Sequence, residues 1–184
     1  MGAIDRSTTL VELATLISEA LEGAGITSTL SGGAVVSIYT HNEYESYDLD
    51  FITSERNSAI AHALAPLGFQ HQPGTRAFVH PDTDYFAEFP PGPLGLGETV
   101  LDHKDATVIE TGYGRLRILT PTQSAMDRLS AYIAWNDGQA FDQAVMLAKR
   151  HELDWGALAR WAEREGAEAP LIDKVRARAA RRSG

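Results

Sequence analysis

The sequence predicts an α+β protein: short strands interleaved with helices to about residue 119, then a helical lobe. Three observations predict it. Before residue 119, apolar and polar residues alternate in short runs broken by Gly and Pro; beyond it, helical spacing takes over. A complete helix-start signal marks the change, with Thr120 as N-cap, Pro121 at the first helical position and Gln123 closing a capping box. The length of 184 residues fits one compact core with a small appended lobe, drawn here as 1–119 and 120–184.

Each element has its own justification. In residues 6–24, Leu10, Leu13, Leu16 (or Ile17) and Leu21 recur near helical spacing, and Gly23 and Gly25 end the segment, so an amphipathic helix is expected. Residues 26–30 alternate with threonine and serine as a strand does. After Ser31-Gly32-Gly33, the short apolar segment 34–39 suits a helix. A second strand is expected at 47–53, and a helix at 54–65 that Pro66 and Gly68 stop. Short strands are expected at 69–72, 77–80 and 85–89. Residues 90–97 contain three prolines and three glycines and are predicted to be loop. Strands at 108–110 and 116–119 flank a Gly112-x-Gly114 turn. Helices follow at 121–135, 138–150, 155–165 and 170–182, with Asp137 and Asp154 capping the middle two and Gly166 closing the third.

Composition narrows the function classes. Cys is absent, which excludes disulfides and thiolate metal sites. No apolar run approaches about 18 residues, and no basic patch with an apolar stretch opens the chain. Neither a membrane span nor a signal peptide is therefore expected, and a cytoplasmic location is. The net charge of −9 is unevenly placed. Residues 1–92 hold three arginines, no lysine and twelve carboxylates, while residues 93–184 hold thirteen charges of each sign. An acidic first half repels nucleic-acid phosphates unless cations intervene. It reads either as a solvated acidic surface or as a carboxylate-rich metal site.

Three features of that half point to chemistry. Ser31-Gly32-Gly33 lies between a strand and a helix, where glycine admits a ligand close to the backbone and free N–H groups attract phosphate. By itself such a pair is usually an ordinary tight turn. Asp48 and Asp50 are two apart on the next strand, so their side chains leave the same face, about 6–7 Å apart at the Cα atoms. Their repulsion is unfavourable in a half-buried strand unless a cation relieves it; the ordinary alternative is a solvated edge strand. Glu88 sits among apolar residues on a later strand, where an unpaired carboxylate is expensive. A strand pairing with 47–53 would put it beside the aspartates, with Asp84 the competing third ligand. Three oxygen ligands of this kind suit Mg²⁺, which keeps its other positions for water and substrate phosphates. Asp48, Asp50 and Glu88 are then the expected metal-binding and catalytic set, with Glu88 also a candidate general base.

Ser31-Gly32-Gly33, a gap of 14 residues, then Asp48-Leu49-Asp50-Phe51 and the later Glu88 resemble the DNA polymerase β-type nucleotidyltransferase superfamily. The segments 88–94 and 127–129, with Trp135-Asn136-Asp137, look like its small bacterial AbiEii-like and minimal members. The resemblance covers roughly residues 28–145. It implies a mixed sheet flanked by helices, and transfer of a nucleotide from ATP or another NTP, with Mg²⁺, to tRNA, a protein or a small molecule. It also implies a place in a toxin–antitoxin pair, with an antitoxin or other partner protein. Ser31, Gly32 and Gly33 would cradle the nucleotide.

Weaker signals remain open. Arg128 is a candidate for neutralising a phosphate, and Asn136, Asp137 or Asp142 for positioning base or ribose, although Asp137 also suits a plain helix cap. His71, His80, Asp82 and Asp84 have irregular loop spacing, poor for a metal site. His41 is either a pocket rim or a helix end. Lys174, Arg176, Arg178, Arg181 and Arg182 read first as a solvated helix end. Trp155 and Trp161 suit the core of the lobe. Only Arg6, Arg56 and Arg76 are basic in the first half, so no triphosphate-binding cation is evident there. That keeps a non-catalytic nucleotide- or partner-binding module in view, and a Mg²⁺-dependent phosphohydrolase behind it.

Overall fold

The fold is built outward from one strand whose two faces have opposite character. In the computed structural model, which describes residues 4–181, strand β2 (Asp48–Ile52) buries Leu49 and Phe51 completely on one face. The alternate residues Asp48, Asp50 and Ile52 are only half-buried. The period of two that was read from the sequence therefore divides apolar core from carboxylates.

Strand β1 (Thr29–Ser31) pairs antiparallel with β2 on one side, and β5 (Phe86–Glu88) pairs parallel with it on the other. Strands β3 (Gln70–His71) and β4 (Ala77–Val79) extend the sheet beyond β5, and β8 (Thr107–Thr111) and β9 (Gly114–Ile118) extend it beyond β1. The result is a seven-stranded mixed sheet in the order β3-β4-β5-β2-β1-β9-β8. Under β2, the Phe51 and Phe89 rings stack with centroids 6.0 Å apart, and Phe78 meets Phe89 edge-on at 5.3 Å. Helix α1 (Leu10–Gly23) packs on β9 and on α3 (Asn57–Leu64); α2 (Gly32–Tyr39) lies against β2 and against α4 (Pro121–Trp135) and α5 (Gly138–Arg150). Helices α6 (Trp155–Arg164) and α7 (Leu171–Ala180) follow, α7 packing on α5. Seven helices flank the sheet among the described residues, and none is long and apolar enough to cross a membrane.

Local chemistry sets the boundaries. Thr9 caps α1 by accepting the Glu12 N–H, so α1 begins at Leu10 rather than residue 6; Asp5 and Thr8 form a separate turn before it. Ile17, not Leu16, is the fully buried member of that register. The Thr120–Gln123 capping box opens α4, Asp137 caps α5 and Asp154 caps α6, each by accepting backbone N–H groups of its first turn. Asn57 rather than residue 54 starts α3, and α7 ends at Ala180; Arg182 lies outside the described residues.

The segment 90–97 departs from the loop prediction. Leu94–Leu96 form β6, paired antiparallel with β7 (Thr99–Leu101) around Gly97, which has φ +68°. The reason is the Leu-Gly-Leu alternation inside the Pro/Gly-rich stretch: Leu94 and Leu96 are buried, and the Leu96 carbonyl accepts the Trp161 indole N–H at 2.9 Å. Trp161 is fully buried, as expected for the lobe core, whereas Trp155 is half-buried with the Arg176 guanidinium 4.9 Å above its ring.

Because Phe51 anchors the strand that carries the carboxylates, Phe51→Ala is expected to cost about 3–5 kcal/mol, the usual range for a buried aromatic. Urea unfolding measures this; a loss below about 1 kcal/mol would mean that the aromatic layer does not hold β2.

Candidate active site

Pairing across three strands brings the predicted residues together. Ser31 of β1 is the register partner of Asp50, and Asp50 is the register partner of Glu88. These three residues therefore form one row across β1, β2 and β5. Asp48 lies on the same face two positions earlier, beside Phe86. Asp84, the competing ligand, is exposed and precedes β5 by two residues, outside this row.

The turn from β1 into α2 closes over the row. Gly32 has φ +73°, and a Cβ placed on it would fall 2.3 Å from Asp50 Oδ2. Only glycine combines that backbone conformation with that approach. A Cβ on Gly33 would meet Ser46 Oγ at 3.0 Å and Tyr44 Cε1 at 3.1 Å. Ser31 does not cap α2 with its side chain; its hydroxyl donates to the Asp50 carbonyl at 3.3 Å.

Helix α4 supplies what the first half lacks. Arg128 reaches the site, and its Nη2 and Nε donate to Asp127 Oδ2 at 2.7 and 3.1 Å. The same Asp127 oxygen accepts the Gly32 N–H at 3.2 Å. Burial opposes the charge on Arg128, but the charge and hydrogen bonds of Asp127, with Asp50 and Tyr44 beyond, outweigh it and hold the guanidinium above its usual pKa. Arg76, by contrast, donates to the backbone carbonyls of Phe89 and Glu55 and so serves the strand end.

Asp50 is the most perturbed group. Burial first, then the charges of Asp48, Glu88 and Asp127, push its carboxyl up to about 7, against a lowering influence from Arg128. Asp48 is relieved locally, its Oδ1 accepting the Ser46 hydroxyl at 2.7 Å. Among the described residues no three His, Asp or Glu side chains are grouped so as to hold a metal ion as they stand. The donors themselves are of the kind Mg²⁺ takes: they are all oxygen, Asp48 and Asp50 share one face of β2, and Glu88 pairs with Asp50. Asp48, Asp50 and Glu88 are the residues that would hold the ion.

The remaining candidates separate. Asp137 caps α5, Asn136 ends α4 in a left-handed conformation, and Asp142 pairs with Arg178 at 3.4 Å on the surface. His71 is engaged by Asn57 and the Thr75 carbonyl, and His80 accepts the Asp82 N–H. His41 follows α2 and lines a cavity of about 480 Å³ with Tyr39, Tyr113 and His151. That cavity lies at the far end of α2 and is lined by none of Asp48, Asp50 and Glu88, so the site is defined by sheet register and charge rather than by cavity size. Sequence reasoning gave Ser46 no role, and it singled out the segment 127–129 without the contact that Asp127 makes. Ser46 had a local signal, two positions before Asp48; the contact of Asp127 with Gly32, 95 residues away, had none.

Two outcomes follow from this geometry. The Asp50 carboxyl ionises near 3.8 in an unfolded chain and near 7 here, so the folded protein holds the extra proton between those values and loses that stability as pH rises through 7. Asp50→Asn is therefore expected to raise the melting temperature of metal-free protein at pH 8, by up to about 4 kcal/mol in stability, and to do much less at pH 4. A lower melting temperature at pH 8 would refute the crowding of charge. Gly32→Ala forces a side chain into both the positive φ and Asp50, so it is expected to destabilise by about 1–3 kcal/mol in chemical denaturation; an unchanged midpoint would show that the turn can relax.

No family model matches the chain, and no curated protein matches it in sequence. Solved structures do resemble it. An antigenic nucleotidyltransferase-like protein from Paracoccidioides brasiliensis superposes with a TM-score of 0.61 at 15% identity, covering 92% of this chain and 94% of that one. The lincomycin-bound lincosamide antibiotic adenylyltransferase LnuA gives 0.52 at 14%, covering 78% and 99%. The antibiotic-resistance factor ANT(2'')-Ia gives 0.50 at 11%, covering 91% and 89%. The chain has a nucleotidyltransferase-like fold, a mixed sheet flanked by helices.

Proposed function

We propose that this protein is a Mg²⁺-dependent nucleotidyltransferase that moves an NMP from an NTP to a hydroxyl-bearing acceptor and releases pyrophosphate. The observation that carries this reading is the row Ser31–Asp50–Glu88, with Asp48 beside it and the Gly32-Gly33 turn over Asp50. Bound Mg²⁺ would supply charge neutralisation for the triphosphate and the attacking oxygen. Asp48 and Asp50 hold and orient that charge; Glu88 shares in binding and takes the proton of the acceptor hydroxyl. The acceptor oxygen bonds to the α-phosphorus as the bond to the pyrophosphate oxygen breaks, so no covalent enzyme intermediate is required. Arg128 is the cation available to the phosphates, and Ser31, Gly32 and Gly33 form the cradle beneath them.

The acceptor is an RNA end, a protein or a small molecule. The name of the lincosamide adenylyltransferase describes a small-molecule acceptor for that protein and brings this class forward here. The chain's role is that of a cytoplasmic modifying enzyme or of the toxin in an AbiEii-like toxin–antitoxin pair, with an antitoxin as partner. A second reading, a catalytically inactive nucleotide- or partner-binding module, is favoured by one observation: Asp127 already occupies Gly32 and Arg128.

Labelled NTPs incubated with Mg²⁺ and bulk cell extract decide between the two. Transfer of label to a discrete RNA, protein or metabolite is expected from the wild type and not from the Asp48→Asn/Asp50→Asn double variant. Glu88→Gln is expected to lower the rate by about 10²–10⁴-fold. NTP binding by calorimetry without any transfer would favour the inactive module. Separately, Mg²⁺ is expected to raise the melting temperature of the wild type and not of Asp50→Asn; equal shifts in both would place the ion elsewhere.

A further inference from the structure

Asp127 is a charged group in a place where a neutral one would serve. Its Oδ2 accepts the N–H of Gly32, the first residue of α2, at 3.2 Å, and receives the Arg128 guanidinium at 2.7 Å. Both side chains of the pair are less than one-fifth exposed. A serine or asparagine could accept that N–H without adding a negative charge. Asp127 instead adds its charge to the field of Asp48 and Glu88 on Asp50. The contact therefore works against the carboxylate row while satisfying the turn and the arginine.

What it reproduces is a phosphate: an anionic oxygen on the first N–H of a helix and on a guanidinium at once. We propose that Asp127 is a positioning residue that keeps the phosphate seat filled in the unliganded protein, holding Gly32 N–H and Arg128 until an incoming polyphosphate takes both from it. This rests on the nucleotidyl-transfer reading above. The exchange selects by chemistry. A polyphosphate offers several anionic oxygens and brings its own cations, so it can replace the single carboxylate at both partners. A monoanionic carboxylate or an uncharged ligand offers no gain over Asp127. Nucleotide affinity is thus set by the difference between two anions at one seat rather than by filling an empty one.

The wild-type protein provides the first test, with inorganic tripolyphosphate and Mg²⁺ as the probe. Amide and carboxyl NMR signals of Gly32 and Asp127 are followed through the titration. Both are expected to move as the probe binds, and the Gly32 amide of Asp127→Asn is expected to start displaced from its wild-type position. Asp127→Asn, which keeps a side-chain acceptor but loses the charge, is expected to bind the probe at least about tenfold more tightly. In turnover it is expected to lower KM for the NTP without raising kcat. Tight binding to the wild type with the Gly32 and Asp127 signals unmoved would overturn the proposal and make Asp127 a permanent cap, leaving the nucleotidyl-transfer reading intact. Weaker or equal binding by a folded Asp127→Asn would also overturn it. Absence of binding by both proteins would sink the phosphate seat itself and the reading it rests on; binding by the variant alone would support the exchange.

Discussion

The structure turns on one conflict: a strand that must bury one face completely carries carboxylates on the other. Leu49 and Phe51 fix β2 in its register, because a slip of one residue would exchange them with Asp48 and Asp50. The carboxylates are therefore held in place by the core, not by affinity for one another. Parallel pairing then adds Glu88 to Asp50, and the turn into α2 presses Gly32 against the same oxygen. Each step that orders the sheet raises the electrostatic cost at Asp50, and so the most perturbed carboxyl among the described residues lies on a strand whose other face is fully buried.

Among the described residues, the one cation set against that cost comes from the helices after residue 120, although Asp127 beside it adds to the cost. Arg128 lies on α4, which begins at a full capping box and packs on α2 and α5. With Arg76 engaged by two backbone carbonyls, α4 supplies a cation that the acidic first half does not direct to the row. The site therefore draws on both sides of residue 120, and any movement of α4 relative to α2 changes the charge over Asp50. The β6–β7 hairpin helps to set that position, since β6 packs on α4 and its Leu96 carbonyl holds Trp161 of α6.

Much of this was legible in the sequence because it is local. The i, i+2 spacing of Asp48 and Asp50, the apolar flanks, the capping residues Thr120, Asp137 and Asp154, and the Gly112–Gly114 hairpin all act within a few positions. The pairing of Glu88 with Asp50 was anticipated from pattern, although the register itself comes from the sheet. The β6 strand was hidden by its own composition: proline and glycine around it signalled loop, and only burial against α4 and Trp161 gives Leu94 and Leu96 a reason to extend. The segment 127–129 stood out in the sequence, but the contact of Asp127 was hidden for a different reason. Its partner at Gly32 is set by how α4 crosses α2, a packing outcome that no local propensity encodes.

The compensations around the carboxylates have one property in common: each can be exchanged without disturbing the core. A proton on Asp50, the Ser46 hydroxyl on Asp48 and the Arg128 guanidinium all belong to the half-buried face, while the Phe51, Phe78 and Phe89 layer lies on the other. A core-side compensation, such as an arginine buried beneath the sheet, would have quieted the charge permanently and fixed the site in one state. Neutralisers confined to the open face instead let a proton, a hydroxyl or a guanidinium give way to a cation or a phosphate at similar electrostatic balance. The same opposition of faces that makes β2 costly to build keeps its chemistry replaceable.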